Sequence, residues 1–149
     1  MPLVRIIVGS QSDLPHAVKA VEQLHALGIS NDMHTASAHR TPERVKTLID
    51  SAEKDGVKVI IAMAGMAAHL PGVIASMTLL PVIGVPLSGS ALSGIDALYA
   101  VVQMPPGIPV ATVAVDGAKN SALLAAQIIA LDDKKVLESL INFRKEFYN

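Results

Sequence analysis

Residues 59–95 contain no aspartate, glutamate, lysine or arginine. A stretch that long without a charge must be hidden from water, in a bilayer, in a core or against another protein. A hydropathy window could take residues 59–77 for a membrane span. Gly65, Pro71, Gly72 and Pro81 argue against it, because they cut the run into strand-length and short helical pieces. The mean hydropathy of +0.47 is high for 149 residues, whose interior is limited. Part of the apolar surplus is therefore expected between subunits, in a large obligate homo-oligomer.

The rest of the chain alternates between two periodicities. Residues 3–8 form a short, nearly continuous apolar run, as a parallel strand covered on both faces does. A helical pattern then places Leu14, Ala17, Val18, Val21, Leu24 and Leu27 on one face, with Gly28 closing it. Residues 31–37 read as a weaker second strand. The next helix turns Val45, Leu48, Ile49 and Ala52 inward and stops at Gly56. Residues 57–63, 81–85 and 110–115 read as three more strands, and a short apolar helix is expected near residues 73–78. Further helices are expected around Ile95, Leu98, Val101 and Val102, over residues 118–131, and over about 133–148. Alternating strands and helices imply βαβ units. The expected fold is a three-layer α/β/α sandwich with a mainly parallel, Rossmann- or flavodoxin-like sheet, in a single catalytic domain over residues 1–149.

Ligands of such folds bind beyond the carboxyl ends of the strands. Three loops fall at that edge: residues 9–13, 37–42 and 64–72. The first, Gly9-Ser10-Gln11-Ser12-Asp13, lacks both the dinucleotide Gly-x-Gly-x-x-Gly pattern and the lysine of a P-loop. Its hydroxyls can donate to a phosphate and Asp13 can accept from a ribose diol; a capped helix start explains the same residues equally well. The second, Ser37-Ala38-His39-Arg40-Thr41-Pro42, sets an imidazole beside a guanidinium where a helix begins. Thr41 suits the N-cap, Pro42 the first helical position and Glu43 the positive helix end. His39 suits general acid/base work near neutrality, and Arg40 suits phosphate. In the third loop His69 either lines a site or makes a satisfied bond in apolar surroundings. Small apolar neighbours there could form a dry pocket for a small neutral gas, or pack at a subunit interface.

Several functions are disfavoured. A formal net charge of −1 gives no reason to expect nucleic acid or a membrane surface as partner. There is no cysteine, hence no disulfide or thiolate chemistry. The N-terminus lacks the layout of a secretion signal, which makes the cytoplasm the expected compartment. The histidines lack metal-ligand spacing, so no metal is expected. His16, His25 and His34 occupy ordinary helix or strand positions and receive no role. No serine sits in a Gly-x-Ser-x-Gly elbow.

These three loops together resemble the N5-carboxyaminoimidazole ribonucleotide mutases of de novo purine synthesis. The resemblance runs from Val4 to about Leu131. It takes in Ala67-Ala68-His69-Leu70-Pro71-Gly72, Pro81-Val82-Ile83-Gly84-Val85-Pro86, Val102-Gln103-Met104-Pro105 and Pro109-Val110-Ala111-Thr112-Val113-Ala114 as well as the first two loops. It implies an isomerase, free of cofactor and metal, that shifts a carboxylate from the exocyclic nitrogen of an aminoimidazole ribonucleotide to ring carbon C4. By that resemblance Ser10, Ser12 and Arg40 lie at the phosphate, Asp13 at the ribose, and His39 transfers the proton. Ser37, Ala38, Gly65, His69 and Leu70 match substrate-binding positions around the imidazole and the carboxylate. The family is typically octameric, with the C-terminal helix packed on a neighbour, and works with an ATP-dependent enzyme that makes the N-carboxylated substrate. Met66 departs from the pattern, standing where many members have a second glycine. Direct carboxylation of the unsubstituted ribonucleotide by carbon dioxide, and a non-catalytic nucleotide-binding module, are the competing expectations.

Overall fold

The computed structural model describes residues 1–148. Its elements run β1 (Val4–Val8), α1 (Leu14–Ala26), β2 (Asn31–Thr35), α2 (Pro42–Ala52), β3 (Val59–Gly65), α3 (Leu70–Ala75), β4 (Val82–Leu87), α4 (Ile95–Val102), β5 (Ala111–Thr112), α5 (Ala118–Ile129) and α6 (Lys134–Lys145). Single 3-10 turns precede α1 at Gln11–Asp13 and follow α6 at Glu146–Tyr148. The five strands pair in the order β2-β1-β3-β4-β5, all parallel. This is the flavodoxin-like arrangement, whose strand order reverses between β1 and β3.

Alternation along the strands makes the three layers. Val4, Ile6 and Val8 of β1, Val59, Ile61 and Met63 of β3, and Ile83, Val85 and Leu87 of β4 share one apolar cluster with α1, α5 and α6. The intervening Ile7, Ile60, Ala62 and Val82 point the other way, to α2, α3 and α4. Both faces are covered, so β1 and β4 are buried from end to end and β3 up to its last residue, the half-buried Gly65. Much of the uncharged stretch thus lies inside the subunit itself, split between two strands and a short helix. Among the described residues no helix is long and apolar enough to cross a membrane.

The helix stops work as their residues suggest. Gly28, at φ +72°, ends α1: its N–H donates to the carbonyl of His25 at 3.0 Å, and Ile29 N–H donates to that of Leu24 at 2.9 Å. The same double closure ends the turn after α2, with Gly56 at φ +88°. A left-handed residue here costs glycine little and any other residue more. Because Val57 N–H donates to Ala52 in that closure, β3 begins at Val59 rather than at residue 57 and runs on to Gly65. The short helix expected near residues 73–78 starts earlier, at Leu70, with Pro71 in its first turn. The strand expected over residues 110–115 shrinks to Ala111–Thr112, an edge strand paired on one side only. Beyond it the chain turns away at Asp116, φ +59°.

One charged residue interrupts the core. Arg5 of β1 is 4% exposed, and all five of its N–H donors are used. Asp32 takes Nε and Nη2, the Leu48 carbonyl and Ser51 Oγ take Nη1, and Asp55 takes Nη2 at 2.9 Å. Strand register sets Arg5 beside Asp32. Hydrogen bonds and charge from Asp32 and Asp55 outweigh desolvation and raise the guanidinium above its ordinary range. Desolvation pushes Asp32 upward, but bonds from Arg5 and the nearby His34 prevail and hold it below the usual carboxylate range.

Candidate active site

At the opposite end of the sheet, the exits of β1, β2 and β3 form one rim. Gly9 N–H donates to the Met63 carbonyl at 3.1 Å, and Ala36 N–H to that of Val8 at 2.9 Å. The turn after β1 is therefore fixed between its two neighbours.

In that turn neither Ser10 nor Asp13 caps the following helix with its side chain. Their side chains bond one another instead: Ser10 Oγ lies 2.6 Å from Ser12 Oγ and donates to Asp13 Oδ2 at 3.2 Å. The helix-capping explanation for these residues therefore fails. What remains is a small polar cluster beside the emerging backbone amides of α1.

The turn after β2 departs from expectation in one detail. Thr41 occupies the N-cap position of α2, with Pro42 and Glu43 behind it, but makes no side-chain cap bond. Its Oγ1 turns back and accepts from Ser37 N–H at 2.8 Å. That bond pulls the chain out of the sheet, and β2 ends at Thr35 rather than at Ser37. Ser37 Oγ in turn accepts from the amides of His39 at 3.3 Å and Arg40 at 3.0 Å. The hydroxyl that precedes the imidazole thus shapes the loop, leaving its own O–H to donate elsewhere.

The turn after β3 is the strained one. Met66 has φ +55°, the left-handed region that costs a side-chain-bearing residue about 1–2 kcal/mol. Ala68 N–H then donates to the Met66 carbonyl at 2.9 Å, and His69 N–H to that of Ala67 at 2.7 Å. These two narrow turns deliver His69 to the other loop. His39 Nε2 and His69 Nδ1 lie 2.7 Å apart, with the rings nearly perpendicular at 86°. One proton occupies that bond. Two neutral rings, or one neutral and one charged, can share it; with both rings charged, each facing nitrogen carries a hydrogen and the bond is lost.

The three turns enclose a cavity of about 530 Å³. Its wall includes every residue the sequence singled out: Ser10, Ser12, Asp13, Ser37, Ala38, His39, Arg40, Gly65, His69 and Leu70. Leu70 is buried, whereas both histidines and Arg40 are exposed. Polar groups of opposite sign thus stand over an apolar floor that includes Ala64 and Leu87.

His16 is the residue that sequence reasoning passed over. It lines the same cavity, one helical turn past Asp13, and that spacing was the available signal. Its Nε2 stands 3.9 Å from Asp116 Oδ1. Asp116 accepts from Ser88 N–H at 3.0 Å and from Ser88 Oγ. Burial pushes the Asp116 carboxyl up, but the Ser88 bonds and the nearby His16 and Lys19 leave it below its ordinary range. His25 and His34 lie outside the cavity.

A parallel sheet in the order 2-1-3-4-5, with a polar cavity at its switch point, defines a flavodoxin-like α/β protein of the small-ligand-binding kind. Residues 3–149 match the family described as AIR carboxylase, and the chain belongs to that family. A Pyrococcus abyssi protein named N5-carboxyaminoimidazole ribonucleotide mutase is 52% identical over 146 residues, covering 98% of this chain and 84% of its own. Proteins of the same name from Escherichia coli strain K12 and Saccharolobus solfataricus are 51% and 49% identical. They cover 95% and 100% of this chain, and 85% and 94% of their own lengths. Among solved structures, Treponema denticola PurE superposes with a TM-score of 0.91 at 34% identity, covering 99% of this chain and 92% of that one.

Proposed function

We propose that this protein is an isomerase of purine biosynthesis that interconverts N5-carboxyaminoimidazole ribonucleotide and 4-carboxy-5-aminoimidazole ribonucleotide. The mutase name carried by relatives near 50% identity over almost the whole chain supports this reading over direct carboxylation. The structural observation that carries it is His39, tied to His69 at 2.7 Å, on the wall of the cavity that also holds Ser10 and Asp13.

The chemistry follows from the reactant. The N–carboxyl bond breaks and carbon dioxide leaves, its bonding electrons staying on the aminoimidazole and making C4 nucleophilic. C4 then attacks the carbon dioxide, and loss of the C4 proton restores aromaticity. The proton that C4 gives up is the one the exocyclic nitrogen gains, so a single acid/base can serve both ends. His39 takes that part, and His69 holds its ring toward the bound imidazole. Ser10, Ser12 and Arg40 hold the phosphate, and Asp13 the ribose. Ser37, Ala38, Gly65 and Leu70 surround the imidazole and the carboxylate. Contacts remote from the reacting atoms keep the two fragments together between bond breaking and bond making, which lowers the entropy cost of recombination. The reaction as drawn calls for no cofactor or metal.

The whole chain, residues 1–149, acts as one catalytic domain in the cytoplasm, supplied with its N-carboxylated ribonucleotide by an ATP-dependent enzyme. It works as a homo-octamer whose C-terminal helix docks on a neighbour. Exposed Leu79, Leu92, Tyr99, Phe147 and Tyr148 supply the apolar surface such an assembly buries. The test supplies each ribonucleotide separately. The N-carboxylated compound alone is expected to yield the C4-carboxylated product without added bicarbonate. Product formed at a useful rate only from the unsubstituted ribonucleotide plus bicarbonate would overturn the mutase reading.

A further inference from the structure

Met66 occupies a position that penalises any side chain, since φ +55° suits glycine and strains every other residue. Its side chain does no work in the fold. It belongs to neither hydrophobic cluster, and 65% of its surface is open. It nevertheless lines the cavity with His39, His69 and Leu70, three residues before the imidazole that meets His39. An unbranched, flexible thioether at a pocket edge can swing across it and shed water without needing a polar partner.

We propose that Met66 is the residue that decides how much of the released carboxyl group stays in the pocket, its side chain covering the opening while carbon dioxide waits for C4. This rests on the mutase reading above. In that reaction the intermediate state holds a neutral gas with no charge for the protein to grip. Retention then depends on closing its way out rather than on binding it, and an apolar cover does so without offering a competing nucleophile.

The experiment follows the fate of the carboxyl carbon. Wild type, Met66→Ala, Met66→Gly and Met66→Leu are each given the N-carboxylated ribonucleotide in buffer containing ¹³C-bicarbonate and carbonic anhydrase. Label in the C4-carboxylate and free aminoimidazole ribonucleotide per turnover are then measured, with spontaneous decarboxylation subtracted. Wild type and Met66→Leu are expected to keep most of their own carboxyl carbon. Met66→Ala and Met66→Gly should raise both label uptake and by-product by at least about fivefold, with little change in substrate affinity. Met66→Gly should also melt at a higher temperature than wild type, which separates lost cover from damaged fold. Unchanged partitioning in the Ala and Gly variants would overturn the proposal while leaving the mutase reading intact. No interconversion by the wild-type protein would sink that reading, and this inference with it.

Discussion

The two ends of the sheet treat their polar groups in opposite ways. At the amino end Arg5 is buried, every donor has an acceptor, and its partners come from β2, α2 and the turn after α2. At the carboxyl end the histidines and Arg40 are exposed, the strand exits carry a left-handed methionine, and one inter-ring bond links two loops. A buried network whose donors are all paired rigidifies the fold and leaves little for a ligand to bind. An open, strained rim contributes little to stability and keeps its donors for something else. The difference teaches that stability and chemistry occupy separate ends of β1, β2 and β3, so each can be perturbed alone.

Three substitutions would break or sharpen that separation. The largest effect is expected from His39→Asn, which removes the proposed proton carrier from an exposed loop. Turnover should fall by about 10²–10⁴-fold, while thermal unfolding and substrate binding, followed by calorimetry, stay near wild type. Arg5→Ala should do the reverse. It strips the half-buried Asp32 of its guanidinium and leaves it only His34 Nε2 at 3.1 Å, and denaturant titration should show a loss of about 3 kcal/mol. Whatever protein remains folded should keep its turnover. A matching loss of activity per folded molecule would show that the two ends communicate.

The smallest effect is one of pH. Folding holds the Asp32 carboxyl below its ordinary value, so the unfolded chain takes up that proton first as the solution is acidified. The stability Asp32 contributes is then complete above an unfolded pKa of about 3.9. It is lost as pH falls through the lower folded value. Melting temperatures measured down the acid limb should fall less steeply in Asp32→Asn than in wild type. Equal slopes would remove Asp32 from the acid-labile set.

How much of this was legible in the sequence differs between the same two ends. The rim was readable because its residues are local. Ser37, His39, Arg40 and Thr41 lie in one turn, and the alternation of strands and helices placed three such turns at one edge. The error there was also local: nothing in the sequence distinguishes a threonine that caps forward from one that bonds back to Ser37. His16 was missed because a histidine on an amphipathic helix looks ordinary until α1 is set against the cavity. The Arg5 network was not legible at all. Its partners Asp32, Ser51 and Asp55 are remote in sequence, and only the β1–β2 register and the docking of α2 bring them together. The fifth strand was overestimated for a related reason. A β-rich run continues past Thr112, but its chain turns off through the left-handed Asp116, whose carboxylate accepts from Ser88, 28 residues earlier.

β2 and β3 flank β1 in the sheet, so the link between His39 and His69 spans the exit of β1 like the keystone of an arch. Whatever settles on the turn below arrives under a span already closed. The tether engages only Nε2 of His39. The second ring nitrogen remains for a guest, so the reactive group can work while it stays moored to the opposite loop.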